Sequence, residues 1–227
     1  MLTMVSKGLI VAAKDLRQVL SGGNGLFQAV LLGLLLVFIF SLSGNPGERI
    51  SAQSAAAIFW ISSCFSVVLI FTMLYRLEEE NETRLALIMT PMPIQTVWLG
   101  KLLGGLALLV MAQCCFIPAI IVFLSQETLS SVAGLAALII GVDAGLVILG
   151  SLLGAVSQGQ DTRDSLLSII LFPLLLPLLL GGVKVGGVLL TNASLDGVTD
   201  WFGIIGAFDV IFAGAAMLLF PYVYGQE

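Results

Sequence analysis

The chain has 227 residues, 59% hydrophobic and 10% charged, with a net charge of −5 and a mean hydropathy of +1.11. So little polar surface cannot clothe a water-soluble core, and several stretches approach the roughly 20 apolar residues that cross a bilayer, which makes this an all-α polytopic membrane protein. Nine scattered Lys and Arg exclude a nucleic-acid surface, and the absence of His excludes His-based triads, imidazole metal sites and histidine ligation of haem.

Residues 4–20 place Val5, Leu9, Ala12, Leu16 and Val19 on one side and Lys7, Lys14 and Gln18 on the other. That spacing predicts an amphipathic helix lying in the headgroup plane, its lysines toward anionic lipid. A cleaved signal peptide fits poorly, because the basic region is too long and no A-x-A site follows the first apolar run. Six spans follow, at about 25–42, 52–75, 98–124, 129–156, 165–183 and 201–222, so that residues 1–227 read as a single transmembrane domain. In the fifth span Pro173 and Pro177 each remove one backbone hydrogen bond, and both are expected to kink the helix. The stretch after it, VKVGGVLLTNASLDGVTD, is too broken for a span and is expected to dip into the interface.

With the N-terminus in the cytoplasm, Lys7, Lys14, Arg17, Arg76, Arg84, Lys101 and Arg163 fall inside, against Arg49 and Lys184 outside. That bias puts both termini in the cytoplasm. Lys101 can then snorkel to the inner surface beside Trp98, with Tyr222 and Tyr224 in the inner aromatic belt and Trp201 in the outer one.

The stretch RLEEENETRLALIMTPMP, residues 76–93, sets Glu78, Glu79, Glu80 and Glu82 between two apolar spans. Asn81 is a candidate N-cap, the glutamates suit the positive end of a helix, and Pro91 ends it. Leu85, Ile88 and Met92 then share one face. A short amphipathic helix of this kind is either seated in lipid or a rigid knob that docks in a groove of another subunit.

Asp143 and Asp209 fall within the fourth and sixth spans. A carboxylate there costs roughly 2.5–3.5 kcal/mol on insertion scales, so each requires a partner, a polar cavity or a proton. Gly141, Gly145, Gly150 and Gly154 form small-xxx-small pairs in the fourth span and predict close helix packing. Cys64, Cys114 and Cys115 lie in apolar spans without paired spacing and read as small buried hydrophobes.

From Tyr75 onward, an aromatic–Arg pair, the acidic cluster and LALIMTPMPIQTVWLGK, with Pro91, Pro93 and Lys101, resemble the signature loop of the heme exporter protein B (CcmB) family. A second match is the polar turn ending at Arg163 and Asp164, followed by SLLSIILFPLLLPLLL with Pro173 and Pro177 in register. The chain departs from the pattern around Glu82–Arg84, where glycine and leucine are common, and it lacks the histidine that some members carry just after the lysine. The resemblance implies an ABC-2, type V exporter-like permease subunit of the cytochrome c maturation ABC transporter, in the bacterial inner membrane. It further implies two copies working with CcmA-like ATPases beside CcmC-like, CcmD-like and CcmE-like proteins. The residues that would couple to the partner are Arg76, Glu78, Glu79, Glu80, Glu82, Arg84, Pro91, Pro93, Arg163 and Asp164.

The chain itself has no G-x-x-x-x-G-K-[ST] phosphate loop, so ATP and Mg belong on a partner and the chain is not an enzyme. Haem is expected to be handled by the complex, with none bound by this chain alone, since no methionine lies in an outer loop and no histidine exists. Two other readings are an ABC-2 permease for a drug, lipid or glycan, and a proton-coupled carrier using Asp143 and Asp209. The carrier would show internal repeats with broken helices, and none is found.

Overall fold

A computed structural model describes residues 2–22, 24–43, 50–126, 131–157, 164–191, 193–194 and 197–225, and its elements are all α-helices. In chain order they are α1 (Leu2–Gly22), α2 (Asn24–Ser43), α3 (Ala52–Glu80), α4 (Thr83–Ile88), α5 (Ile94–Phe123), α6 (Val132–Ser157), α7 (Asp164–Leu189) and α8 (Thr199–Tyr224). Helices α2, α3, α5, α6 and α8 are long and apolar enough to cross a bilayer, and α7 adds a shorter apolar stretch, Pro173–Leu189. The chain is therefore a polytopic membrane protein, with its spanning backbone satisfied inside helices as lipid demands.

Helix ends follow local chemistry. Ser51 caps α3 by accepting from the Ser54 amide at 3.1 Å, and Ser131 does the same for the Gly134 amide at the start of α6. Pro93 stands just before α5, where its missing N–H costs nothing.

Helix α3 is the centre of the bundle and packs against α2, α5, α6 and α7. Its Trp60, Ile70, Phe71, Leu74 and Tyr75 are all buried. Phe71 fills a gap between Gly105 of α5 and Gly150 of α6, where any added Cβ would meet its ring. Gly154 opens the same kind of space for Tyr75, and Gly141 and Gly145 face Ile205 and Asp209 of α8. The small-residue pairs expected in this helix thus serve close packing. Two serines of α3 also reach α2, Ser66 donating to the Ala29 carbonyl at 3.2 Å and Ser62 to that of Gly33 at 3.4 Å.

Three expectations need correction. First, VKVGGVLL is not an interfacial dip, because α7 continues through it to Leu189. Gly182, just before it, and its own Gly186 and Gly187 lie against Trp60, Ala56 and Gln53 of α3, a fit that outweighs the helix cost of glycine. The helix also passes through Pro173 and Pro177 without ending, and Pro118 and Pro221 likewise sit inside α5 and α8.

Second, α1 does not lie with one apolar face wholly in lipid. It packs mainly on α5: Gly8 touches Leu99, and a Cβ on Gly100 would come within 2.6 Å of Val11. Val11, Ala12, Asp15 and Val19 are buried, while Val5, Leu9 and Ile10 remain exposed. Third, Cys64 is buried as expected, but Cys114 and Cys115 are on the outer surface of the bundle.

Candidate functional site

The segment 76–93 is part helix end, part short helix. Its first five residues complete α3, so Asn81 is the C-cap of that helix rather than an N-cap, and its side chain donates to the Leu77 carbonyl at 2.7 Å. Glu82 then takes the left-handed conformation, φ 52°, to turn the chain into α4. Glu78, Glu79 and Glu80 consequently sit at the negative end of α3, which disfavours them and makes their other partners decisive, while Glu82 stands at the N-cap of α4.

Those partners divide them. Glu79, Glu80 and Glu82 are exposed, and Arg76 is paired with Glu80 at 3.4 Å on the surface. Glu78 is fully buried. Leu87, Ile88 and Met92 pack onto the core, whereas Leu85, one of the residues expected on that face, is 45% exposed and Met89 is 83% exposed. The outer face of the segment therefore combines three carboxylates with two unpartnered apolar side chains. Pro91 and Pro93 are also exposed.

Beneath this face lies a buried ionic cluster drawn from three helices. Lys101 of α5 is fully buried, not snorkelled: its Nζ lies 2.6 Å from Glu78 Oε1 and 3.1 Å from Asp15 Oδ2, and donates to the Leu74 carbonyl at 3.4 Å. Lys14, expected to face lipid headgroups, pairs with Asp15 Oδ1 at 2.8 Å and Glu78 Oε1 at 3.3 Å. Two ammonium and two carboxylate groups sum to zero charge, and each ion has two opposite neighbours. That arrangement offsets the several kcal/mol of desolvation each buried ion costs. Burial alone would lower the Lys14 pKa, but Asp15 and Glu78 more than reverse this and hold it above the ordinary 10.5.

Aromatic groups close the cluster. Tyr224, buried rather than in an aromatic belt, donates to Glu78 Oε2 at 2.9 Å, and Lys101 stands 5.2 Å from the Tyr75 ring centroid. Arg84 donates to the Tyr224 carbonyl at 2.9 Å and lies over its ring, tying the segment to the end of α8. Tyr75 donates to the Ser151 carbonyl, and Trp98, buried as well, donates to Ser151 Oγ at 3.0 Å. Segment 76–93, α1, α3, α5 and α8 thus meet at one polar node.

Of the expected coupling residues, the structure brings Glu78 and Arg84 into this node and leaves Arg76, Glu79, Glu80, Glu82, Pro91 and Pro93 on the surface above it. Arg163 lies outside the described residues, and Asp164 is described only as the first residue of α7. Sequence reasoning missed Asp15, Lys14 and Tyr224 as members. Asp15 carried a legible signal, an acid in register with Val11, Ala12 and Val19; Tyr224 carried none.

Within the spans, Asp143 is fully buried and accepts from Gln113 Nε2 at 2.7 Å, while the same amide donates to Ser63 Oγ at 3.1 Å. Asp209 is half-buried, with Oδ1 packed against Gly145 of α6. Asp209 of α8 thus packs on a different face of α6 from the one that carries Asp143.

The CcmB protein family model matches residues 7–225, nearly the whole chain and all of the node. Heme exporter protein B of Pseudomonas aeruginosa is 23% identical over 194 residues, 83% of this chain and 82% of that protein.

Proposed function

We propose, from the premise that the chain belongs to the CcmB protein family, that it is the membrane subunit of an ABC transporter serving haem export in cytochrome c biogenesis. The subunit is not itself an enzyme. A CcmA-like partner binds ATP and Mg and hydrolyses the nucleotide, and CcmC-like, CcmD-like and CcmE-like proteins complete the complex, with two copies of this chain. Haem is handled by the assembled complex, its ligands supplied by neighbouring subunits. The positive-inside bias supports an inner-membrane orientation with both termini and segment 76–93 in the cytoplasm.

The observation that carries the reading is the anchorage of that segment. An exposed acidic face with Leu85 and Met89 stands on a buried node that joins α1, α3, α5 and α8. A partner pressing on such a face moves helices, because the contacts beneath it are packed and charge-paired. A flexible loop would absorb the same push.

Replacing Glu79, Glu80 and Glu82 together with lysine tests this, since all three are exposed and Glu78 is left intact. Copurifying ATPase should fall about tenfold or more, the loss expected when several complementary charges become repulsive, while the subunit still inserts and folds. Unchanged copurification together with unchanged maturation of c-type cytochromes would refute the docking role.

A further inference from the structure

Asp143, Gln113 and Ser63 form a polar cluster far from the node, linking α6, α5 and α3. Gln113 stands twelve residues beyond Lys101 along α5, about 18 Å at 1.5 Å per residue. All three side chains are at least nine-tenths buried. Both hydrogens of the Gln113 amide are used, one toward Asp143 Oδ1 and one toward Ser63 Oγ. Two oxygens are left over, Asp143 Oδ2 and Gln113 Oε1, and neither has a hydrogen-bond partner.

An ionised Asp143 does not fit these surroundings. Among the described residues it receives one neutral N–H and pairs with no cation, whereas a buried carboxylate that stays charged accepts two or three such bonds or a positive partner. The helices packed on α6 bring none: α3 offers Cys64, α5 the outward-facing Cys114 and Cys115, α7 the exposed Lys184, and α8 Asp209 on another face. Glu78 and Lys101 are occupied with each other.

A single proton resolves every deficit together. Placed on Oδ2, it makes that atom a donor, and Gln113 Oε1 is an acceptor lacking one. Donated to Oε1, that proton would add an O–H bond opposed to the observed N–H to Oδ1 bond and close a cyclic acid–amide pair. We propose that Asp143 is a proton-binding site, its bound proton closing this pair and locking α6 to α5 and, through Ser63, to α3. Helices α3 and α5 are the two that flank segment 76–93, so the pair holds the interior of the helices a partner would move. The proton is structural, retained in the resting subunit.

The full-length protein in lipid nanodiscs allows a direct test by infrared spectroscopy at neutral pH, with thermal unfolding in parallel. Wild type should show a neutral-acid carbonyl band that Asp143→Asn removes and that Gln113→Leu shifts to higher frequency by taking away its acceptor. Asp143→Asn should unfold with wild type, because its amide replaces the protonated acid atom for atom, and Asp143→Leu should unfold earlier by stranding the Gln113 amide. Loss of ionised-carboxylate bands in Asp143→Asn would overturn the proposal. So would failure of that variant to fold.

Discussion

Removing the Lys101 ammonium would leave Glu78 and Asp15, both buried, sharing only Lys14. Breaking a buried pair from one side costs about 3–5 kcal/mol, because the uncompensated charge stays behind. Lys101→Met should therefore lower the unfolding midpoint of the purified subunit sharply. Adding Glu78→Gln restores neutrality, so the double variant should be more stable than Lys101→Met alone, a coupling that a thermal double-mutant cycle reads directly. Additive losses would mean that the ions act separately and that the node is not a unit.

Between helices, glycine placement makes a sharper distinction than glycine content. A Cβ at Gly150 would fall 2.6 Å from both Phe71 and Val67, while one at Gly206 meets nothing within 4 Å. Gly150→Ala should cost about 1–3 kcal/mol by pushing α6 off α3, and Gly206→Ala should be neutral or slightly stabilising through helix propensity. Comparing their thermal midpoints checks this; equal effects would count against the α3–α6 contact. Helix α1 is held differently, partly by charge. Because the folded-state pKa of Lys14 is raised above 10.5, its contribution is complete below that value and is lost as pH rises through the higher folded value. Protease cleavage within α1 should thus stay slow through ordinary pH and accelerate only in strong alkali. Acceleration near pH 8 would show that another group governs the attachment.

Across the whole molecule, orientation decides which face a partner can reach. In a background without Cys64, Cys114 and Cys115, a single cysteine at Glu79 should be shielded from an impermeant thiol reagent outside intact cells and react once the membrane is opened. Cysteines at Glu48, Glu127 or Asp196, which lie outside the described residues, should react from outside. External labelling at Glu79 would invert the topology and remove segment 76–93 from any cytoplasmic ATPase.

Apolar run length alone determined the membrane class and the helical content, because lipid leaves the backbone little choice. The glycine ladder of α6 was legible for the same reason, since spacing on a helix is local geometry. What lay beyond the sequence were relations between distant residues. Glu78 reads like Glu79 and Glu80 until α5 and α1 bring Lys101 and Lys14 to it. Lys101 and Tyr224 look like interfacial anchors until they are found buried on one carboxylate. The broken stretch that begins at Val183 becomes helix as far as Leu189, where Ala56, Trp60 and Gln53 of α3 accept its glycines. Local sequence sets what each segment can form in lipid; a buried charge is tolerable only where the tertiary structure delivers its counter-charge, and that pairing is a property of the assembled bundle.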